Sequence, residues 1–66
     1  MLKELNMAIK KQQVVSISTE DEEIYIGTPE RISVVQGNVK LISDRGLVFI
    51  PLDEIKHVMR IISLSC

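Results

Sequence analysis

Side chains that build metal centres, disulfides and nucleophilic sites are nearly missing from this chain. It has one cysteine, Cys66, and one histidine, His57. An internal disulfide needs a second cysteine and a structural zinc site needs four ligands, so neither staple is available. The three glycines, Gly27, Gly37 and Gly46, stand too far apart to form a phosphate-cradling loop. Tryptophan is absent and the only rings are Tyr25 and Phe49, which leaves few platforms for stacking a base. No run approaches the roughly 18 apolar residues of a membrane span. Residues 1–13 also lack the apolar core of a secretory signal. A lone terminal thiol suits a reducing compartment, so the expected location is cytoplasmic, with no membrane partner. The formal net charge is −1, which is not the footprint of a basic, phosphate-seeking surface.

What the chain has is aliphatic bulk. Of its 66 residues 45% are hydrophobic, mostly Ile, Val and Leu, a composition that favours strands. A chain this short is one domain, and folding hides only about 60% of the surface that the unfolded chain exposes. With disulfide and metal staples ruled out, self-association is the remaining way to add buried area. The expected partner is therefore the chain itself.

Residues 2–13, LKELNMAIKKQQ, space Leu2, Leu5, Ala8 and Ile9 at helical intervals with lysines opposite. That predicts a short amphipathic helix, marginal alone, whose stripe must pack on something. VVSIS, about 14–18, reads as a first strand. In TEDEE, 19–23, Thr19 and Glu22 have capping-box spacing, but no apolar helix follows. The four acids lack the spaced ligands and glycine of a calcium loop, so the run reads as a solvated hairpin tip. A second strand is expected over about 24–36, with a bulge or break at Gly27-Thr28-Pro29. Proline cannot donate to a ladder, and small barrels turn corners at such places.

VVQGNVKL, 34–41, is a hairpin signal. With Gly37-Asn38 as a two-residue loop, Gln36 faces Val39, Val35 faces Lys40, Val34 faces Leu41 and Ile32 faces Ser43. One face then collects Ile32, Val34, Val39 and Leu41, and the other Ser33, Val35, Lys40 and Ile42. The third strand covers about 39–43. Gly46 suits the left-handed last position of the following three-residue loop. LVFIPL, 47–52, is apolar at every position, predicting a strand covered on both faces, by the core and by the helix or a neighbouring subunit. Asp53-Glu54-Ile55 reads as one helical turn capped by Asp53 and anchored by Ile55. The last strand runs over about 57–64. Its Met59–Ile61 alternation breaks at Ile62, which is in phase with Leu64 and marks a bulge or burial on both sides.

A helix followed by five short strands, with a single turn between the last two, resembles the Sm-like or SH3-like small β-barrel. The spacing GxxxxxxVxxxxVxLxxxxGxxxIPLxxI, from Gly27 to Ile55, is similar to that of small bacterial proteins such as the YolD-like family. The resemblance covers about residues 14–62. It implies a mainly β protein: a five-stranded antiparallel barrel with a short N-terminal helix, closed by the Ile-Pro…Ile ending. RNA-binding Sm proteins carry an Asp-x-x-x-Asn loop between strands two and three and an Arg-Gly before the last strand. Here those places read Gln36-Gly37-Asn38 and Pro51-Leu52-Asp53, so the resemblance supports the fold and withholds the uridine pocket. DRGLVFIPLDEI, 44–55, also resembles the Gly-x-x-x-Ile-Pro stretch of AbrB-like DNA-binding proteins. Those place it early among several arginines, whereas here it lies late, with Arg45 and Lys56 the only nearby cations.

Ser16, His57 and Asp53 are the residue types of a hydrolytic triad, but no nucleophile elbow accompanies them, and Asp53 and Glu54 belong to a capping turn. No enzyme, metal or cofactor is expected. The favoured reading is a non-enzymatic small-barrel module that self-associates or binds a protein partner. Its candidate interface is Val48 and Ile50 on the fourth strand, with Val58, Met59, Ile61, Ile62 and Leu64 on the last. The alternative is a nucleic-acid-binding barrel or AbrB-like regulator acting through Arg31, Lys40 and Arg45. It lacks aromatic platforms and is opposed by the acids at 20–23.

Overall fold

A computed structural model of the chain describes residues 2–61. Five antiparallel strands form one sheet, preceded by a single α-helix. The helix α1 (Leu2–Lys11) buries Leu5 and Ala8, the middle of the apolar stripe, while Leu2 stays exposed. It stops two residues short of the expected end. Gln12 adopts a left-handed φ of 55°, the Gln12 N–H donates to the Ile9 carbonyl and the Gln13 N–H donates to the Ala8 carbonyl. This is a Schellman ending made without glycine, which is why no breaker marked it.

The strands are β1 (Val14–Thr19), β2 (Ile24–Ser33), β3 (Asn38–Ser43), β4 (Gly46–Pro51) and β5 (Ile55–Ile61). They are ordered β4-β3-β2-β1-β5 across the sheet. In β1 the alternation is complete: Val15, Ile17 and Thr19 are buried and Val14, Ser16 and Ser18 point outward. The turn after it is tied by its own backbone and by Thr19, whose Oγ1 accepts from the Glu23 N–H. The acidic run is therefore a hairpin connection, not a helix.

The long strand β2 serves two neighbours. It pairs with β1 as far as Gly27, opposite Val15, and with β3 from Thr28, opposite Ile42. Gly27 and Pro29 are both buried at this changeover, so the corner expected at Gly27-Thr28-Pro29 is present and the strand continues through it. Next comes a bulge at Glu30: Pro29 faces Leu41, and Arg31 already faces Lys40.

One core gathers Leu5, Ala8, Val15, Ile17, Val39, Leu41, Ile50 and Ile55, with Tyr25, Ile32, Val48, Leu52 and Val58 packed around it. Each fully buried Ile, Leu or Val stabilises by about 1.5–3 kcal/mol. A core this small leaves little margin.

Four expectations need correction. The β2–β3 hairpin is closed by Ser33 opposite Asn38, with Val34, Val35, Gln36 and Gly37 in the turn. Local bonds decide this: the Gly37 N–H donates to the Ser33 carbonyl, the Gln36 N–H to Ser33 Oγ, and Gly37 has a φ of 70°. The inward side is accordingly Ile32, Val39 and Leu41 without Val34. Val34 and Val35 are 79% and 98% exposed. Second, the turn after β4 is a 3-10 turn (Leu52–Glu54) preceded by Pro51, with no side-chain cap from Asp53; Ile55 is its buried anchor. Third, β5 begins at Ile55, earlier than expected, with an irregularity at Lys56, where Thr19 faces Ile55 and Ser18 faces His57; the break expected at Ile62, and Leu64 with it, lie outside the described residues. Fourth, the run 47–52 is covered on one face only: Ile50 is buried, while Leu47 and Phe49 are exposed. No ladder joins β4 to β5, so the sheet has two free edges among the described residues.

Candidate functional site

The outward surface of the sheet has two halves, and the changeover at Gly27 divides them. On β5-β1-β2 the register places Met59, Ser16 and Ile26 in one row and His57, Ser18 and Ile24 in the next. Ile61 and Val14 form a third. None of these positions carries a Lys, Arg, Asp or Glu. Ile24, Ile26 and Met59 are 65%, 54% and 68% exposed. Two large apolar walls thus flank Ser16 and Ser18 of β1, and one wall, β5, is an edge strand among the described residues.

On β2-β3-β4 the middle row is different in kind. Arg31 faces Lys40, and Lys40 faces Phe49. The bulge puts Glu30 on the same side, and its Oε1 is 2.8 Å from Lys40 Nζ. Among the described residues the only other salt bridge joins Arg60 Nε to Glu4 Oε2, also at 2.8 Å. That bridge is structural: it ties β5 to α1, and Arg60 Nη1 also reaches Gln13 Oε1 at 3.4 Å.

The candidate interface residues separate by face. Ile50 is in the core, and Val48 and Val58 pack against it, so these three point away from any partner on the outer surface. Met59 and Ile61 are exposed on that surface; Ile62 and Leu64 are outside the described residues. Ile24 and Ile26 complete the apolar face and were missed, because the alternation Ile24-Tyr25-Ile26 does not say which side is inward until the pairing with Ser18 and Ser16 assigns its two isoleucines to the outside. Of the three cations, Arg31 and Lys40 are cross-strand neighbours. Arg45 is elsewhere, at the β3–β4 turn, lining an open cleft of about 610 Å³ with Glu23, Asp44 and Ile24.

The residue types of a hydrolytic triad are not brought together among the described residues. Ser16 faces Met59, His57 faces Ser18, and Asp53 lies in the 3-10 turn. No hydrogen bond links these three among the described residues. Nor do three His, Cys, Asp or Glu side chains converge among the described residues to hold a metal ion. No described helix is long and apolar enough to cross a membrane. No protein-family model and no curated protein matches the sequence.

Proposed function

We propose that the chain is a small Sm-like or SH3-like barrel, of the type its YolD-like spacing suggests, that acts without catalysis by binding a second copy of itself. The observation that carries the reading is the uncharged apolar face of β5-β1-β2, bordered by the unpaired edge of β5. Its rows carry no Lys, Arg, Asp or Glu, and Ser16, Ser18 and His57 are their only polar side chains. Ile24, Ile26 and Met59 of a second copy would remove apolar surface from water on both sides, at roughly 25 cal/mol per Å². An exposed strand edge adds backbone donors and acceptors suited to a further strand. Small domains with thin cores gain most from such burial.

The barrel reading is supported by the single 3-10 turn between β4 and β5 and by its ties to the hairpins beside it, with β4 and β5 left unpaired to each other among the described residues. The Leu52 N–H donates to the Gly37 carbonyl, and the Glu20 N–H to the Glu54 carbonyl. The same reading puts the chain in the cytoplasm, on the strength of its lone thiol, Cys66. Gel filtration with light scattering tests it, run over a range of concentrations with reductant to prevent Cys66 crosslinks. A mass above that of one chain, rising with concentration, is expected; one chain at every concentration overturns the reading.

A further inference from the structure

We infer that the other half of the outer surface, on β2-β3-β4, is a binding platform for single-stranded nucleic acid, with Phe49 stacking a base and Arg31 and Lys40 meeting the phosphates. The inference is independent of the self-association proposed above, which uses the opposite half. Its starting point is the cross-strand row Arg31–Lys40–Phe49. In sequence these residues are far apart, and Phe49 sits inside an apolar run that reads as core. The register reverses that reading: Val48 and Ile50 turn inward, and Phe49 stands 56% exposed beside Lys40.

Directly opposed residues in a sheet have Cβ atoms about 4.5–5.5 Å apart, so the row spans about two strand spacings, or roughly 10 Å. That is a scale on which a base and its neighbouring phosphates can be met together. An exposed phenyl ring offers a sequence-tolerant stacking surface, and flanking cations supply the salt-sensitive part of the affinity. The adjoining row suits the same occupant: Ser33, Asn38 and Pro51 are aligned across the strands, giving a hydroxyl, an amide and a small apolar ring. This platform is centred on Arg31, Lys40 and Phe49 of the sheet face, and of the loop positions 36–38 and 51–53 it borders only Asn38 and Pro51.

Glu30 is the acid of this surface, and it has a definite role. Its carboxylate holds Lys40 at 2.8 Å while the lysine side chain stays partly exposed. Exposed pairs of this type are weak, so a phosphate can displace the carboxylate. Arg31 has no salt-bridge partner among the described residues. Glu30 therefore acts as a competitor for the ligand, and its removal should tighten binding.

The test is fluorescence anisotropy with end-labelled oligothymidylate and oligouridylate, with a labelled polyphosphate as the aromatic-free anion. Both oligonucleotides should bind at about 50 mM salt, with log K falling against log salt at a slope of about −1.4 for two neutralised phosphates. Phe49→Leu should weaken binding about tenfold, the loss of one stacked base, and leave polyphosphate affinity unchanged. Arg31→Gln should flatten the salt slope, and Glu30→Gln should raise affinity severalfold. Equal affinity for the two oligonucleotides supports a base-and-phosphate platform, and a preference for either one assigns it to that nucleic acid. No binding at low salt overturns the inference. So does unchanged oligonucleotide affinity in folded Phe49→Leu, which would reduce the surface to nonspecific charge. Binding of an acidic peptide in place of both oligonucleotides would likewise overturn it.

Discussion

The backbone of Gly27 passes so close to Ile42 that a Cβ at position 27 would lie 2.5 Å from the Ile42 carbonyl oxygen and 3.1 Å from Leu41 Cγ. Here β2 leaves β1 and takes up β3, and two strands approach more closely than side chains allow. The obstacle is main chain, which cannot rotate away. Gly27→Ala is expected to destabilise by about 1–3 kcal/mol, the usual cost of overpacking, read as a lower urea midpoint at unchanged slope. A midpoint equal to the parent's would show that the corner is looser than described.

The helix contributes to the core through the middle of its stripe. Leu5 is fully buried and Leu2 is 41% exposed. Leu5→Ala should cost about 2–5 kcal/mol, and Leu2→Ala, on an exposed position, less than about 0.5–1 kcal/mol. Equilibrium denaturation of the two variants side by side checks this. Equal losses would mean that the helix docks in a different rotation.

The β2–β3 turn makes a prediction that separates two registers. If Val34 faced Leu41 in the core, Val34→Ala would cost more than 1 kcal/mol, in the manner of other buried truncations. With Val34 and Val35 in an open turn held by Ser33, Val34→Ala should change stability by no more than about 0.5 kcal/mol. Ser33→Ala, which removes the acceptor for the Gln36 N–H, should cost about 0.5–1.5 kcal/mol. Thermal or urea unfolding of both variants decides between the registers.

Arg60 fastens β5 to α1 through Glu4 and Gln13. Both side chains of the ion pair keep solvent contact, so Arg60→Gln should cost no more than about 1 kcal/mol, an effect that shrinks further in high salt. A much larger loss, insensitive to salt, would assign Arg60 a packing role instead.

How much of this was legible in the residues differs from element to element. The alternation of VVSIS fixes the inward side of β1, and the stripe Leu5–Ala8 fixes the inward side of α1, because a half-buried element writes its period into its polarity. LVFIPL carries no such contrast. Only its pairing with Lys40, a residue that must face water, tells that Phe49 is outside and Ile50 inside. The bulge at Glu30 was legible in part: Pro29 has no N–H to give the ladder and marks the place, but the proline does not say how the pairing resumes. Its effect is to place Arg31 opposite Lys40. The Gly37-Asn38 pair suggested a two-residue turn, yet the Ser33 hydroxyl and carbonyl capture the chain first and lengthen the turn. The candidate surfaces were obscure for the same reason: both are made by register, and register depends on such local bonds.

The central claim is that the uncharged face of β5-β1-β2 joins two copies, and sedimentation velocity on the parent and on Ile26→Lys/Met59→Lys tests it most directly. Both substituted side chains point outward, so circular dichroism should be unchanged by the pair. The reduced parent is expected to sediment as an assembly that dissociates on dilution, and the double variant as one chain at the same concentrations. An assembly that persists unchanged in the double variant, or a parent that is a single chain throughout, would contradict it.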